Sequence, residues 1–260
     1  MAETLEIFGL ALHRIDRSEV VARVLDGLAR GQGGWILTPN VELVQQAAQD
    51  PEIRALYGRA DLRVADGMPL LWMASLAGCP FPGRVAGSDL VWSLAAAVAP
   101  EGRRLFLLGG DEGVAQAAAR VLTERHPGLV VCGHLAPRLD VPPSAAQADE
   151  IEAALAEARP DLVFVAFGSP KTEHLIDRLR GRFPSVWWLG CGISLSFVSG
   201  DVARAPLWVQ RLGLEWLHRL SQEPGRLGGR YLGRNLPFAL RGLWIALRSR
   251  LRPGGGRIGD

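Results

Sequence analysis

The sequence predicts an α/β fold: a Rossmann-like open, mostly parallel sheet with helices on both faces, followed by a helical C-terminal appendage. Three observations predict it. Short apolar runs recur at residues 35–38, 62–65, 105–108, 129–132, 162–167 and 186–189. Each is bounded by Gly, Pro or Asp, as buried parallel strands are. Segments of helical period lie between them, and strand–helix–strand repetition with right-handed crossovers builds an open sheet.

The elements follow in order. Residues 5–12 alternate around Gly9 and suggest an extra hairpin. Val20, Val21, Val24, Leu25 and Leu28 then recur at helical spacing, with Asp16 or Ser18 placed as the cap. Ala-rich residues 114–122 read as a second helix, and residues 151–158, behind a Pro/Ser loop, as a third. Near Gly200 the character changes. The chain becomes helical, Trp- and Arg-rich, and closes on Pro253-Gly254-Gly255-Gly256. A boundary near Ala205-Pro206 gives an α/β catalytic domain over 1–204 and a basic helical appendage over 205–260.

Charge follows the same division. The net charge of +2 combines a body of −5 over residues 1–200 with a tail of +7 over 201–260. That tail carries eleven arginines and no lysine, which points to an anionic partner. The Arg-for-Lys bias itself reads as composition, since Lys171 is the chain's single lysine. Cys79, Cys132 and Cys191 are odd in number and far apart, so neither a disulfide framework nor a metal set is expected. The opening MAETLEIFGL lacks the basic start and apolar run of a signal peptide, and no apolar run approaches the roughly 20 residues that span a bilayer. The expected location is cytoplasmic, peripheral at the inner face of the membrane.

In open parallel sheets, ligands bind beyond the carboxyl ends of the strands. The residues that follow the strands are therefore the candidate site: Thr38 and Asn40; Asp66; Gly109 and Gly110; Gly168, Ser169, Lys171 and Thr172; Gly192. Nearly all are polar or glycine, more than turns alone require. Asp66 can act as a general base, or it can cap a helix over 69–76. Thr38 and Asn40 can hold donor hydroxyls, although Asn40 is also a sound helix cap. Gly109-Gly110-Asp111-Glu112-Gly113 can bring backbone N–H groups to a phosphate at a helix N-terminus, or it can be a tight turn. Arg84, in Gly83-Arg84-Val85-Ala86-Gly87-Ser88-Asp89, can neutralise a diphosphate or lie solvated on a loop.

Several classes are disfavoured. Asp-x-Asp is absent, and His13, His126, His134, His174 and His218 lack ligand spacing, so no metal and no cofactor is expected. There is no Walker loop, no Gly-x-Ser-x-Gly elbow and no dinucleotide fingerprint. No nucleic-acid partner is expected, and homo-oligomerisation stays open. In the tail, Leu240, Leu243, Trp244, Leu247 and Leu251 recur in helical steps with Arg241, Arg248 and Arg252 between them. That pattern suits an anionic membrane face, and equally a helix docked on the core. A nicotinamide-dependent oxidoreductase or epimerase and a non-catalytic membrane adaptor are the rival classes.

Taken together in order, the motifs resemble the WecG/TagA/CpsF glycosyltransferases over about residues 5–240. They are Leu37-Thr38-Pro39-Asn40, Ala65-Asp66-Gly67-Met68-Pro69, Arg84 to Asp89, Phe106-Leu107-Leu108-Gly109-Gly110, Gly168-Ser169-Pro170-Lys171-Thr172-Glu173, and Arg204-Ala205-Pro206 through Glu223-Pro224. The resemblance implies inverting, metal-independent transfer from a UDP-sugar to a polyprenyl-diphosphate-linked acceptor. It implies Asp66 as base, Thr38 and Asn40 placing the donor, and Arg84 near the diphosphate. It maps Arg219, Arg226 and Arg230 to the acceptor diphosphate at an anionic membrane surface. Thr172 stands where the family usually has Gln, and 192–197 departs from its Gly-Gly-x-Phe-Asp form, so the donor sugar is left open.

Overall fold

A computed structural model describes residues 3–141, 143–211, 213–249 and 257–259, the side chains of Arg211 and Arg226 excepted. The sequence-stated positions Leu251, Arg252 and 253–256 lie outside the described residues.

The N-terminal alternation around Gly9 is a hairpin of β1 (Thr4–Ile7) and β2 (Leu10–His13), paired antiparallel. Asp16 caps α1 (Arg17–Ala29): its carboxylate accepts from Glu19 N–H, and Glu19 returns the bond to the Asp16 N–H. β3 (Gly34–Leu37) leads into α2 (Val41–Gln49), α3 (Pro51–Gly58), β4 (Leu62–Arg63), α4 (Met68–Leu76) and α5 (Gly87–Val98). β5 (Arg104–Gly109), α6 (Val114–Arg125), β6 (Val130–Leu135), α7 (Ala145–Ala158), β7 (Leu162–Ala166), α8 (Lys171–Leu179), β8 (Trp187–Gly190) and α9 (Ser194–Ser199) complete the alternation.

Six strands form one wholly parallel sheet in the order β4-β3-β8-β7-β5-β6. The chain builds one edge with β3 and β4, crosses to build the other with β5 and β6, and fills the middle with β7 and β8. Its two faces carry two apolar layers. Val20, Val24, Leu90, Leu94, Ala118 and Leu122 of α1, α5 and α6 pack on one side. Val44, Tyr57, Leu70, Met73, Ile151 and Ile176 of α2, α3, α4, α7 and α8 pack on the other.

The second strand of the prediction, 62–65, is shorter than expected for a definable reason. Val64 N–H still donates to the Leu37 carbonyl and Asp66 N–H to the Pro39 carbonyl. Pro39 has no N–H to return, so the ladder ends while the chains stay side by side. Asp66 is thereby fixed next to the turn that holds Thr38 and Asn40.

Beyond residue 200 lie α10 (Leu207–Arg211), α11 (Glu215–Gln222), α12 (Pro224–Arg230), a π-helical turn over Tyr231–Asn235, α13 (Leu236–Ser249) and β9 (Arg257–Ile258). β9 adds in parallel to β1. α13 lies against α4 and buries Phe238, Ala239 and Ala246 in the main apolar layer. Gly242 sets the distance: a Cβ there would stand 2.5 Å from Met73 Cε. The face of α13 turned away holds Leu240, Trp244 and Leu247, exposed by 58%, 52% and 53%. Docking therefore uses Phe238, Ala239, Gly242 and Ala246 with Leu243 partly buried beside them, and of the Leu/Trp stripe read from the sequence only Leu240, Trp244 and Leu247 face outward among the described residues. No helix among the described residues is long and apolar enough to cross a membrane.

Candidate active site

The strand ends named from the sequence open onto one cleft of about 1330 Å³. Thr38, Asn40, Asp66, Gly110 and Arg84 line it. So do Gly168, Ser169, Lys171, Thr172 and Gly192. Residues from beyond position 200 close one side, among them Glu215, Trp216, Arg219, Arg230 and Tyr231. Gly109 does not line the cleft. Its φ is +97°, and a Cβ would meet the Ala166 carbonyl at 2.9 Å, so close strand packing explains this glycine. The neighbouring Gly110 faces the cleft, but its N–H already donates to the Ala166 carbonyl.

Asp66 does not cap the helix that follows it. α4 begins at Met68 with Gly67 in the cap position and no side-chain cap bond. The carboxyl instead sits on the cleft floor, where Gly87 N–H reaches its Oδ2 at 3.4 Å. Burial raises its pKa to about 7; Arg84 and the Gly87 N–H oppose that rise, and Glu215 and Asp89 add to it. The residue type alone, with a reference pKa of about 3.9, implies full ionisation at neutral pH. Desolvation overturns that expectation. Thr38 Oγ1 would stand 3.1 Å from a Cβ on Gly87, so threonine, glycine N–H and carboxyl converge on one spot. Asn40 caps α2 through Oδ1, which accepts from Glu42 and Leu43 N–H. Capping leaves its amide N–H₂ as the group with hydrogens to offer the cleft.

Arg84 is not solvated. It is 16% exposed, with Nη1 3.1 Å from Glu215 and Nη2 3.8 Å from Asp89. Lys171 donates to the Leu139 carbonyl at 2.7 Å, tying α8 to the loop after β6. Thr172 is buried, and its hydroxyl accepts from Phe167 N–H. Ser169 meets the Tyr57 hydroxyl at 2.6 Å and donates to Gln46 Oε1 at 3.1 Å. Arg219 contributes a buried Nε with no hydrogen-bond partner. Arg230 pairs with Glu42 at 3.1 Å. The side chain of Arg226 lies outside the described residues. Among the described residues, no three His, Cys, Asp or Glu side chains gather as a metal set.

Sequence reasoning did not single out Glu173, which is 4% exposed on the cleft wall with Oε2 unpartnered. Burial pushes it up to about 7. A carboxyl raised in the folded state binds more protons there than in the unfolded chain between about pH 4 and 7. Its stability contribution is present at low pH and lost as pH rises through 7. Glu173→Gln is therefore expected to raise Tm at pH 8 and to leave it nearly unchanged at pH 4, as read by thermal melts at both values. Glu215 on the cleft was likewise not singled out, nor were Tyr57, Gln46, Asp89 and Arg204, which hold residues of the lining from behind it. Asp89, Arg204 and Glu215 lie inside the motifs given above; nothing in sequence signals Tyr57 or Gln46, which hold Ser169 from the C-terminal halves of α3 and α2.

Fold and cleft place the chain in the class of enzymes that bind ligands at the carboxyl edge of an open parallel sheet. The profile of the glycosyl transferase WecG/TagA/CpsF family matches residues 5–253, and the chain belongs to that family of glycosyltransferases. Two curated relatives carry the name N-acetylglucosaminyldiphosphoundecaprenol N-acetyl-beta-D-mannosaminyltransferase. One, from Bacillus spizizenii, is 32% identical over 201 residues, 76% of this chain and 75% of the relative. The other, from Bacillus subtilis, is 30% identical over 194 residues, 75% of this chain and 73% of the relative.

Proposed function

We propose that this chain transfers a sugar from a UDP-sugar to a polyprenyl-diphosphate-linked saccharide in cell-surface polysaccharide synthesis, with inversion and without a metal ion. The observation that carries the reading is the half-buried Asp66 carboxyl on the cleft floor, with Thr38 and Arg84 beside it. In a single displacement, Asp66 takes the proton of the acceptor hydroxyl as that oxygen bonds to the anomeric carbon. The bond from that carbon to the UDP oxygen breaks, and UDP leaves with the electron pair. Thr38 and the Asn40 amide hold donor hydroxyls. Arg84 meets charge on the leaving diphosphate. Gly110, Gly168, Ser169, Lys171, Thr172 and Gly192 form the donor side of the cleft. Arg219, Arg226 and Arg230 receive the acceptor diphosphate, where Arg230 exchanges Glu42 for it.

The lipid-linked acceptor lies in a bilayer, which suits the exposed Leu240, Trp244 and Leu247 with Arg241 and Arg248 beside them. The division into a 1–204 catalytic part and a 205–260 acceptor-binding part follows from this reading. N-acetylglucosaminyl-diphosphoundecaprenol is the first acceptor to test, because both relatives are named for it, and UDP-N-acetylmannosamine is the first donor, because they are named for transfer of an N-acetylmannosaminyl group and the proposed donor is a UDP-sugar.

The test is a transfer assay with purified protein, these substrates in detergent, and UDP release and product mass as readouts, run with and without excess EDTA. Product in both conditions is the expected result. Product that disappears with chelator and returns with Mg²⁺ or Mn²⁺ would refute the metal-free mechanism. No UDP release from any UDP-hexose, UDP-N-acetylhexosamine or UDP-uronate would refute the donor class.

A further inference from the structure

Four charged side chains form a closed circuit of ion pairs beside Asp66. Arg84 faces Glu215 at 3.1 Å and Asp89 at 3.8 Å. Arg204 faces Asp89 at 2.7 Å and Glu215 at 3.1 Å. All four are largely buried, with side-chain exposures of 16% to 23%. Asp89 sits in the first turn of α5, and Arg84 lies on the loop before it. Arg204 precedes α10, and Glu215 opens α11. The circuit thus joins the loop beside the candidate base to the segment beyond residue 200.

The arrangement has an electrical consequence. Arg84 is the cation that acts on Asp66, yet the ion pairs it makes are with Glu215 and Asp89. Those two acids draw the guanidinium toward themselves and also repel charge on Asp66. Arg204 offsets both acids from behind. We propose that Glu215 and Arg204 are positioning residues that set the proton affinity of Asp66 through Arg84, so that the C-terminal segment tunes the base of the sheet domain. This rests on the reading of Asp66 as the base.

The charged groups facing Asp66 are Arg84 and Asp89 from the loop and α5, and Glu215 from α11. Arg219 on α11 and the Glu42–Arg230 pair on α2 and α12 are further charges on elements around the same cleft. Arg84, Arg219, Glu42 and Arg230 are unaltered in the variants below. Burial holds Asp66 near 7, inside the range where a kinetic profile reports it.

The experiment is the pH dependence of kcat/KM for sugar transfer by the full chain. Glu215→Gln removes a repelling charge and releases Arg84 toward Asp66, so the acidic limb is expected to move down by roughly one pH unit. Asp89→Asn is expected to move it the same way. Arg204→Gln leaves both acids uncompensated and is expected to move it up. Glu215→Asp and Arg204→Lys are expected to restore the wild-type profile. A merely structural loss lowers the whole profile without opposite displacements of its midpoint. UDP binding by each variant identifies any that fails to fold, and the conservative pair then carries the comparison through its own unshifted midpoints. The inference is overturned if Asp66→Asn is inactive while the charge-removing variants leave the midpoint in place or move it in one common direction. If Asp66→Asn turns over normally, the base assignment itself falls, and the inference with it.

Discussion

Replacing Asp66 by Asn is expected to cut sugar transfer on the order of 100-fold or more while UDP binding survives. Asn keeps the size and an acceptor for the Gly87 N–H but cannot take a proton. The same change is expected to stabilise the protein. In the folded state the carboxyl is raised from 3.8 to about 7, chiefly by burial. Between those values the native state holds a proton that the unfolded chain releases, so stability falls as pH rises and the full penalty is present above 7. At about 1.4 kcal/mol per pKa unit the penalty at pH 8 is up to about 4 kcal/mol. The open cleft side, where water reaches the carboxyl, lowers it. A chain of this size gains about 2–4 °C per kcal/mol, so Asp66→Asn should melt several degrees higher at pH 8 and equally at pH 3.5. Wild-type kcat/KM should climb with pH through about 7 as the base ionises, and Glu173→Gln should leave that limb in place. An inactive but stabilised Asn variant marks a group kept for chemistry at the expense of stability. Near-normal turnover would remove Asp66 from the mechanism.

The sheet was legible because burial on both faces leaves near-continuous apolar runs, and the edge of the sheet that binds ligands follows from parallel topology. Strand limits were less so. Residues 62–65 look uniform in sequence, and it is the missing N–H of Pro39 on the neighbouring strand that stops the ladder after Arg63. The cleft's polar residues were legible wherever they directly follow a strand. Glu173 was hidden because a Glu in the first turn of a helix is ordinarily a solvated group favoured by the dipole. Only tertiary packing makes it a buried acid. Arg84 could be named from its motif, but its partners could not. Glu215 lies 131 residues away, and no local pattern connects them. The outward orientation of Leu240 and Trp244 was ambiguous for a similar reason. Phe238 and Leu243 dock beside Ala239 and Ala246 while Leu240 and Trp244 do not, so apolar character alone does not choose the face, and Gly242 against Met73 decides the matter.

That orientation leads to the second large effect. Leu240 also borders the cleft, so the clean test changes Trp244 and Leu247 to Glu together, which is expected to abolish binding to anionic vesicles. It is also expected to lower transfer to an acceptor embedded in a bilayer by 10-fold or more, on the order of 1.4 kcal/mol or above. Both are more than half exposed and neither lines the cleft, so the core contacts of Phe238, Ala239 and Ala246 stay in place. UDP binding and Tm should therefore be unchanged. The physical case is a sum of modest contributions. Apolar area entering the interface is worth roughly 25 cal/mol per Å². Each nearby Arg adds roughly 1 kcal/mol within a Debye length of an anionic surface. Arg248 stacks over the Trp244 ring at 3.5 Å, so one side chain presents the aromatic face and the other the charge at the same place. Neither contribution anchors firmly alone, and their sum is reversible and sensitive to salt. Co-sedimentation at low and high ionic strength reads the charge part, and the double variant reads the apolar part. Transfer to a water-soluble, short-chain acceptor should be untouched, because that substrate needs no surface. A double variant that still co-sediments at low salt, or one that loses the soluble acceptor as well, would show that this face serves the fold or the cleft and not the bilayer.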